Sequence, residues 1–452
     1  MARLVVIGGD AAGMSAASQV RRMQPEREII VFERGSYTSY AACGIPFYVA
    51  GLVEDVGRLI ARTPKQFREK YRIQAMIRHE VLAIFPKEQR ILVRDLEKNE
   101  ERQEPYDELL IATGADPVRT GFDGEESANV HLVSTLAHAQ DIDQALSNGG
   151  DGAVRQIVIV GGGYIGLEMA EAFQLRGLEV TMIHRGPEVM ATFDPDMGHY
   201  VSEALRQSGI DLYLHTALEG FTHENGKVSA LLTSQGSIPA DMVILGIGVR
   251  PTSRLAKEAG LSLGPKDSIR VNELQQTDHA HIWAAGDCAQ SFHLVSRKPA
   301  YIALGTIANR QGRIAGINLG GGYATFPGVL GTSIAKFMEC ECARTGLNER
   351  ELKQLGWQYV TAQISTKTLP RYYPGSTSMH VKVLAEKGSG KLLGVQIVGG
   401  PGSAKRIDTA AMALHAGLRL DEFIHADLSY APPFSGLWDP MVIAARQAMK
   451  EV

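Results

Sequence analysis

Apolar residues fall along this chain in two arrangements. One is the short unbroken run that stops on a glycine: Leu4-Val5-Val6-Ile7 before Gly8, Leu109-Leu110-Ile111 before Ala112-Thr113-Gly114, Gln156–Val160 before Gly161, Met242–Leu245 before Gly246, and Ile282–Ala285 before Gly286. Runs of this kind predict strands buried on both faces, as in a parallel sheet. Ile29–Phe32 and Glu179–Ile183 are similar but close on Glu33 and on His184-Arg185. After the first run, Ser15–Met23 has helical spacing. The other arrangement begins near Phe326, where strand-like Gly331–Phe337, Tyr359–Ile364, Met379–Leu384 and Leu392–Val398 alternate with turns, followed by helix-like Ala404–Gly417 and Asp421–Ala426. The predicted fold class is α/β: two nested Rossmann-like nucleotide-binding units followed by a separate α+β domain.

The glycines give these strand ends a chemistry. Gly8-Gly9-Asp10-Ala11-Ala12-Gly13 joins a strand to a helix; Gly8 permits a tight bend, Gly13 a close helix–strand approach, and the free N–H groups of the helix start suit a pyrophosphate. Asp10 stands where the middle glycine of this fingerprint belongs. Glu33, ending the next strand, suits an adenosine ribose. Gly161-Gly162-Gly163-Tyr164-Ile165-Gly166 carries all three glycines, and the strand after it ends in His184-Arg185, where a cation suits a 2′-phosphate. NADPH is therefore expected, with NADH still open. Asp287, at the end of the Ile282 strand, is placed to bond a polyol.

Composition narrows the function. At 452 residues the chain predicts about three domains, and a net charge of −4 gives no attraction to nucleic acid or an anionic membrane. No apolar run reaches a membrane span, and the start is too short for a secretory signal. Four cysteines at uneven spacing form neither a disulfide framework nor a zinc pair, so a reducing cytoplasm is expected, with no metal. Arg21-Arg22 and Lys65–Arg72 read as solvated basic faces. Cys43, in Ser39-Tyr40-Ala41-Ala42-Cys43-Gly44-Ile45-Pro46-Phe47-Tyr48, precedes a proline suited to a first helical turn. Beside that positive end its thiol pKa is expected to fall, making it a nucleophile; the alternative is a small buried hydrophobe. Cys340 and Cys342 read as strand residues, and Cys288 as structural.

Taken together, the two fingerprints, the isolated cysteine, Ala112-Thr113-Gly114, Ala284-Ala285-Gly286-Asp287 and the last domain make the chain resemble flavoproteins of the pyridine nucleotide-disulfide oxidoreductase family. The resemblance implies a discontinuous FAD domain (1–120 and 247–322), an NAD(P)H domain (121–246) and a dimerisation domain (323–452). FAD would contact Gly8, Ala11, Ala12, Gly13, Glu33 and Arg34, then Val81, Ala112, Thr113 and Gly114, and finally Gly286, Asp287, Gly305 and Thr306. Gly161, Gly163, Tyr164, Ile165, Gly166, His184 and Arg185 would hold the nicotinamide nucleotide.

Many family members carry C-x-x-x-x-C, but the second position here is Tyr48, so an oxidised Cys43 would be a mixed disulfide or a sulfenic acid. The cysteine segment, Arg371-Tyr372-Tyr373-Pro374-Gly375 and Tyr430–Ser435 are similar to coenzyme A disulfide reductases. That likeness implies coenzyme A contacts at Ser15, Gln19, Arg22, Ser39 and Asn309. Ala42 and Tyr71 belong to the same set, although an asparagine and a lysine are expected there, and a persulfide or polysulfide reductase fits these changes as well. Tyr373 and Tyr430 would reach the cysteine from the other subunit of a homodimer, Tyr430 as a proton donor. The expected activity is FAD-dependent reduction of a small-thiol disulfide or persulfide by NAD(P)H. The alternatives are an NAD(P)H oxidase or peroxidase, whose branch keeps a histidine where this chain has Ala11, and a non-catalytic flavin-binding scaffold.

Overall fold

The computed structural model describes residues 2–147 and 154–452. Each glycine-terminated run becomes a strand of one of two parallel sheets. The first has five strands in the order Ile282–Ala284, Glu108–Ile111, Arg3–Ile7, Glu28–Phe32, Gln74–Met76. The second orders its five as Asp211–Tyr213, Glu179–Ile183, Gln156–Val160, Met242–Leu245, Val130–Leu132. In both, the strand feeding the glycine turn lies at the centre, between the strand after its helix and the strand that returns later. Each unit also carries an antiparallel three-stranded sheet, His79–Phe85, Arg90–Asp95 and Glu100–Pro105 in one, Leu218–Glu224, Lys227–Thr233 and Gly236–Pro239 in the other. Their alternating, half-solvated pattern is weaker than a buried run, and they were not legible as a repeat.

The chain crosses between the two sheets twice, and the crossings pair with each other. Ala115–Pro117 runs antiparallel to Val249–Pro251, and the Thr113 hydroxyl donates to the Thr252 carbonyl at 2.6 Å. The helix at Gly305–Leu319 then returns to pack on the first helix, Ala11–Met23. This contact is backbone-close: a Cβ on Gly312 would lie 2.3 Å from the Ala12 carbonyl oxygen, and one on Gly316 2.7 Å from that of Ala16. Small residues one turn apart on both helices bring their N-terminal ends together.

The C-terminal segment forms a five-stranded antiparallel sheet, Ser333–Phe337, Cys340–Gly346, Leu392–Gly399, Ser378–Glu386, Tyr359–Lys367. Boundaries move from those expected. The first strand begins at Ser333 rather than Gly331, and Ala404–Arg406 is a 3₁₀ turn ahead of the Ile407–Ala416 helix, which Gly417 closes at φ +72°. The helix expected over Asp421–Ala426 is one turn, Leu420–Phe423. A segment that short gains too few backbone bonds to propagate. No helix among the described residues is long and apolar enough to cross a membrane.

A buried ion cluster fastens the second nucleotide unit to this C-terminal sheet. Lys382 is 2% exposed, and its Nζ lies 2.5 Å from Glu349, 2.7 Å from Asp196 and 3.2 Å from Asp194. Asp194 also accepts from the Glu349 N–H at 2.8 Å and the Gln396 amide at 2.7 Å. Removing one member of a buried cluster costs about 3 kcal/mol because the remaining charges lose their partner. Lys382→Ala should therefore lower the thermal unfolding midpoint by several degrees and open the second unit to limited proteolysis. An unchanged midpoint and digestion pattern would show that the cluster does not fasten the units.

Candidate active site

Both glycine turns are fixed by backbone contact. Gly8, at φ +108°, would place a Cβ 2.1 Å from the Ala112 carbonyl oxygen, and Gly13 would place one 2.0 Å from that of Gly8. At the second turn Gly161, at φ +107°, meets the Gly246 oxygen at 2.4 Å, and Gly166 meets that of Gly161 at 2.0 Å. No residue with a side chain fits those four positions. The middle position differs: a Cβ on Gly163 would meet open space. That openness explains how Asp10 is admitted at the matching place, where its carboxylate accepts from the Tyr40 N–H at 3.1 Å. Burial pushes the Asp10 carboxyl up to about 6, against the pull of the Tyr40 bond.

Around the first turn the expected cofactor residues converge. Glu33 accepts from the Gly9 and Gly35 N–H groups, each at 2.7 Å, so its carboxylate faces the turn. Asp287 has a buried Oδ1 without a partner, and burial pushes its carboxyl up to about 6. An orphaned buried acceptor beside a glycine cradle fits a polyhydroxylated dinucleotide. Gly286 is enclosed by Ala12 and Ala308, while Gly305 and Thr306 open the returning helix onto the same space. Val81 is buried at a bulge in its strand, and Arg34 is paired with Asp116 at 2.8 Å, tying the first sheet to the crossing.

A cavity of about 2310 Å³ joins both turns. Single small-molecule sites run to roughly 300–1,000 Å³, so this space admits two extended ligands. Asp10, Ala11, Ala42, Cys43, Glu168 and Asp287 line it together with Gly161–Ile165 and Arg185. Cys43 is exposed, on a 3₁₀ turn (Ala42–Gly44) that leads into the Ile45–Val49 helix with Pro46 in its first turn. The expected depression of its pKa is not found. Burial, then Glu168 and Asp287, hold the thiol above its ordinary value. A five-residue helix supplies too small a dipole to outweigh the loss of solvent around the thiol and, after it, these carboxyl groups. Glu168 itself is pushed up to about 7 by burial and then by Glu171. It was not assigned a role from the sequence, although it lies one helical turn beyond Tyr164 and so shares its face.

Cys288 is buried, its Sγ donating to the Ile111 and Ala285 carbonyls, and Cys340 and Cys342 lie on a strand, as expected. Tyr164 bonds Ser333 at 2.5 Å, linking the second turn to the C-terminal sheet. Of His184 and Arg185, the arginine is the one placed to act as the expected cation. His184 Nδ1 accepts from the Gly162 N–H at 3.1 Å, and burial followed by Arg185 lowers its pKa, so the imidazole is neutral. Arg185 alone presents a charge there.

Ser15, Gln19 and Arg22 share one face of the first helix. The Ser15 hydroxyl donates to Asn309 at 2.8 Å, and Arg22 donates to Gln19 at 2.8 Å. Ser39 sits in a left-handed conformation, φ +48°, with its N–H on the Gly9 carbonyl. The basic cluster divides. Arg21 donates to the Tyr71 and Arg72 carbonyls at 2.8 and 2.7 Å, Arg72 pairs with Glu26, and Lys65 with Glu69. In the single chain Tyr373 is half-buried and Tyr430 exposed, and neither is among the residues lining the cavity with Cys43.

The model of the pyridine nucleotide-disulphide oxidoreductases matches residues 2–312, and that of their dimerisation domain matches 332–441. A coenzyme A-dependent NAD(P)H sulfur oxidoreductase of Pyrococcus furiosus is 38% identical over 448 residues, 98% of each chain. An NADH oxidase of Methanocaldococcus jannaschii is 33% identical over 100% of this chain and 99% of its own. Among solved structures, an NAD-dependent persulfide reductase from A. fulgidus superimposes with a TM-score of 0.95 at 35% identity, covering 99% of this chain and 83% of that one.

Two outcomes follow from the site's charges. Above neutral pH Glu168 is an anion that opposes the Cys43 thiolate, so Glu168→Gln should move the inflection of iodoacetamide alkylation against pH, in cofactor-free protein, to lower pH. An unmoved inflection would show that the carboxylate exerts no field on the sulfur. At the other end of the cavity, Arg185→Ala should raise KM for NADPH well beyond its effect on NADH, because only the former loses a charge-assisted contact. Equal changes would leave no basis for a 2′-phosphate preference.

Proposed function

The chain belongs to the pyridine nucleotide-disulphide oxidoreductase family, and on that premise we propose that it reduces a disulfide or persulfide of coenzyme A through Cys43, using FAD and NAD(P)H. The observation that carries this reading is the place of Cys43: an exposed thiol on the wall of a cavity shared by both dinucleotide turns, with Cys288 and Cys342 buried elsewhere. The coenzyme A dependence of the Pyrococcus furiosus relative and the persulfide substrate of the A. fulgidus one support the substrate class.

In the chemistry this implies, the Cys43 sulfur attacks one sulfur of the substrate. A mixed disulfide forms, the substrate S–S bond breaks, and the departing thiolate takes up a proton. Held at the Gly8–Gly13 turn, Glu33 and the unpartnered Asp287 carboxylate, FAD reduced by NAD(P)H would supply the electron pair that returns Cys43 to its thiolate and frees the second thiol. Glu168, its carboxyl pushed up to about 7 by burial and lining the same cavity as the sulfur, is suited to accept the thiol proton as attack begins. Tyr373 and Tyr430 act from a second copy. Tyr372, Tyr430, Phe434, Leu437 and Trp438 form an exposed aromatic and apolar surface on the segment matched by the dimerisation model, which favours a homodimer.

Oxygen reduction is the second reading, favoured by the Methanocaldococcus jannaschii relative. Ala11 opposes it. An alanine on the cavity wall offers no proton to a departing hydroxide, and a general acid contributes on the order of a hundredfold in rate. Cys43→Ser should retain FAD and NAD(P)H binding but lose disulfide and persulfide turnover, while the slow oxygen consumption of the wild type persists. If the wild type is reoxidised faster by oxygen than by any disulfide or persulfide, oxygen reduction becomes the function.

A further inference from the structure

We propose that the Glu171–Lys336 ion pair is the port through which Glu168 draws a proton from solvent while substrate and cofactors fill the main cavity. The inference rests on the reductase reading above and adds to it a route for the proton. That reaction balances as NAD(P)H + H⁺ + RSSR → NAD(P)⁺ + 2 RSH: one S–S bond breaks, the disulfide is reduced and the nicotinamide is oxidised. The hydride brings both electrons and one hydrogen. The remaining proton comes from water and reaches the second departing thiolate through Glu168.

A second cavity, of about 310 Å³, adjoins the first, and Glu168 lines both. It has room for several water molecules. Glu171 and Lys336 line the second cavity only. Glu168 and Glu171 stand three apart on the Tyr164–Leu175 helix, so their side chains share a face. Lys336 comes from the Ser333–Phe337 strand of the C-terminal sheet and pairs with Glu171. The Lys336 side chain is 49% exposed and that of Glu171 10%, so the pair runs from solvent to the interior beside Glu168.

The other charged groups of the second cavity are engaged elsewhere. Glu341 accepts from the Gly402 and Ala404 N–H groups at 3.2 and 2.8 Å, and Lys405 pairs with Asp408 at 2.5 Å. Pro46, Phe47, Ala50 and Leu52, from the helix after Cys43 and the turn beyond it, are apolar. Cys342, buried on the neighbouring strand, is kept a neutral thiol by burial, and Cys43 meets Glu168 from the main cavity. Burial and the Glu171 charge are what act on the Glu168 carboxyl, so the partner of Glu171 governs it in turn. Glu171 and Lys336 thus act through Glu168, as positioning residues, on the side away from the sulfur. A water held between them reaches Glu168 when the main cavity is closed by its ligands.

The test separates proton delivery from binding. Glu171→Gln and Lys336→Met, each checked for wild-type FAD content and melting, should lower kcat for coenzyme A disulfide about tenfold in weakly buffered medium, short of the hundredfold that loss of a direct proton donor brings. KM should stay near the wild-type value, and the solvent deuterium isotope effect on kcat should rise. Imidazole added to the medium is small enough for the second cavity and should restore most of the lost rate in both variants. It should not rescue Glu168→Gln, which lacks the group to be protonated. Lys336→Arg should fall between Lys336→Met and the wild type. If either Glu171→Gln or Lys336→Met keeps the wild-type kcat, or loses rate that imidazole does not restore, the pair is not the port, while the reductase reading stands as long as Cys43→Ser abolishes disulfide turnover. If Cys43→Ser retains that turnover, the reductase reading fails and takes the port with it.

Discussion

The contact between a glycine turn and the carbonyl of a returning strand is the constraint on which this molecule depends. At Gly8 and at Gly161 the backbone of a second strand end comes so near that a single added carbon would overlap it. The same contact brings both helix starts, at Ala11 and at Tyr164, onto the wall of one cavity. The parallel sheets hold this geometry from behind. The small-residue packing of Gly312 and Gly316 on Ala12 and Ala16 extends it to the returning helix, and so to the wall that Gly305, Thr306 and Asn309 present.

Within that frame the electrostatics of the cysteine run against its chemistry. Carboxyl groups at Glu168, Asp287 and Asp10 all act to keep Cys43 protonated. Such an environment stores a thiol in its less reactive form, where it resists oxidation, and leaves the thiolate dependent on what enters the cavity. The carboxyl groups share the consequence. Glu168 at about 7 and Asp287 and Asp10 at about 6 lie near the range in which a proton moves at little cost.

The parallel sheets were legible because an unbroken aliphatic run ending in glycine has few other solutions, and both fingerprints fall where such runs predict them. The placing of Cys43 just ahead of a helix start was legible from its glycine and proline neighbours. Its pKa was not, because the deciding charges come from Glu168 on another helix and Asp287 on another strand. The role of His184 was not legible either, because the group its nitrogen meets is the Gly162 amide of the preceding turn. Lys382, deep in the C-terminal sheet, carried no local signal because its partners are distant in sequence.

The paired crossings at Ala115–Pro117 and Val249–Pro251 carry a consequence for how the chain is made. The second parallel sheet is contiguous, its strands lying between Val130 and Leu245, so it can close as soon as that stretch has left the ribosome. The first sheet cannot. Its edge strand, Ile282–Ala284, and the helix that seals its glycine turn, Gly305–Leu319, are synthesised only after the whole inserted unit. The amino-terminal strands, with Cys43 on a turn between them, must therefore wait with the Glu108–Ile111 edge unpaired while the later unit folds ahead of them.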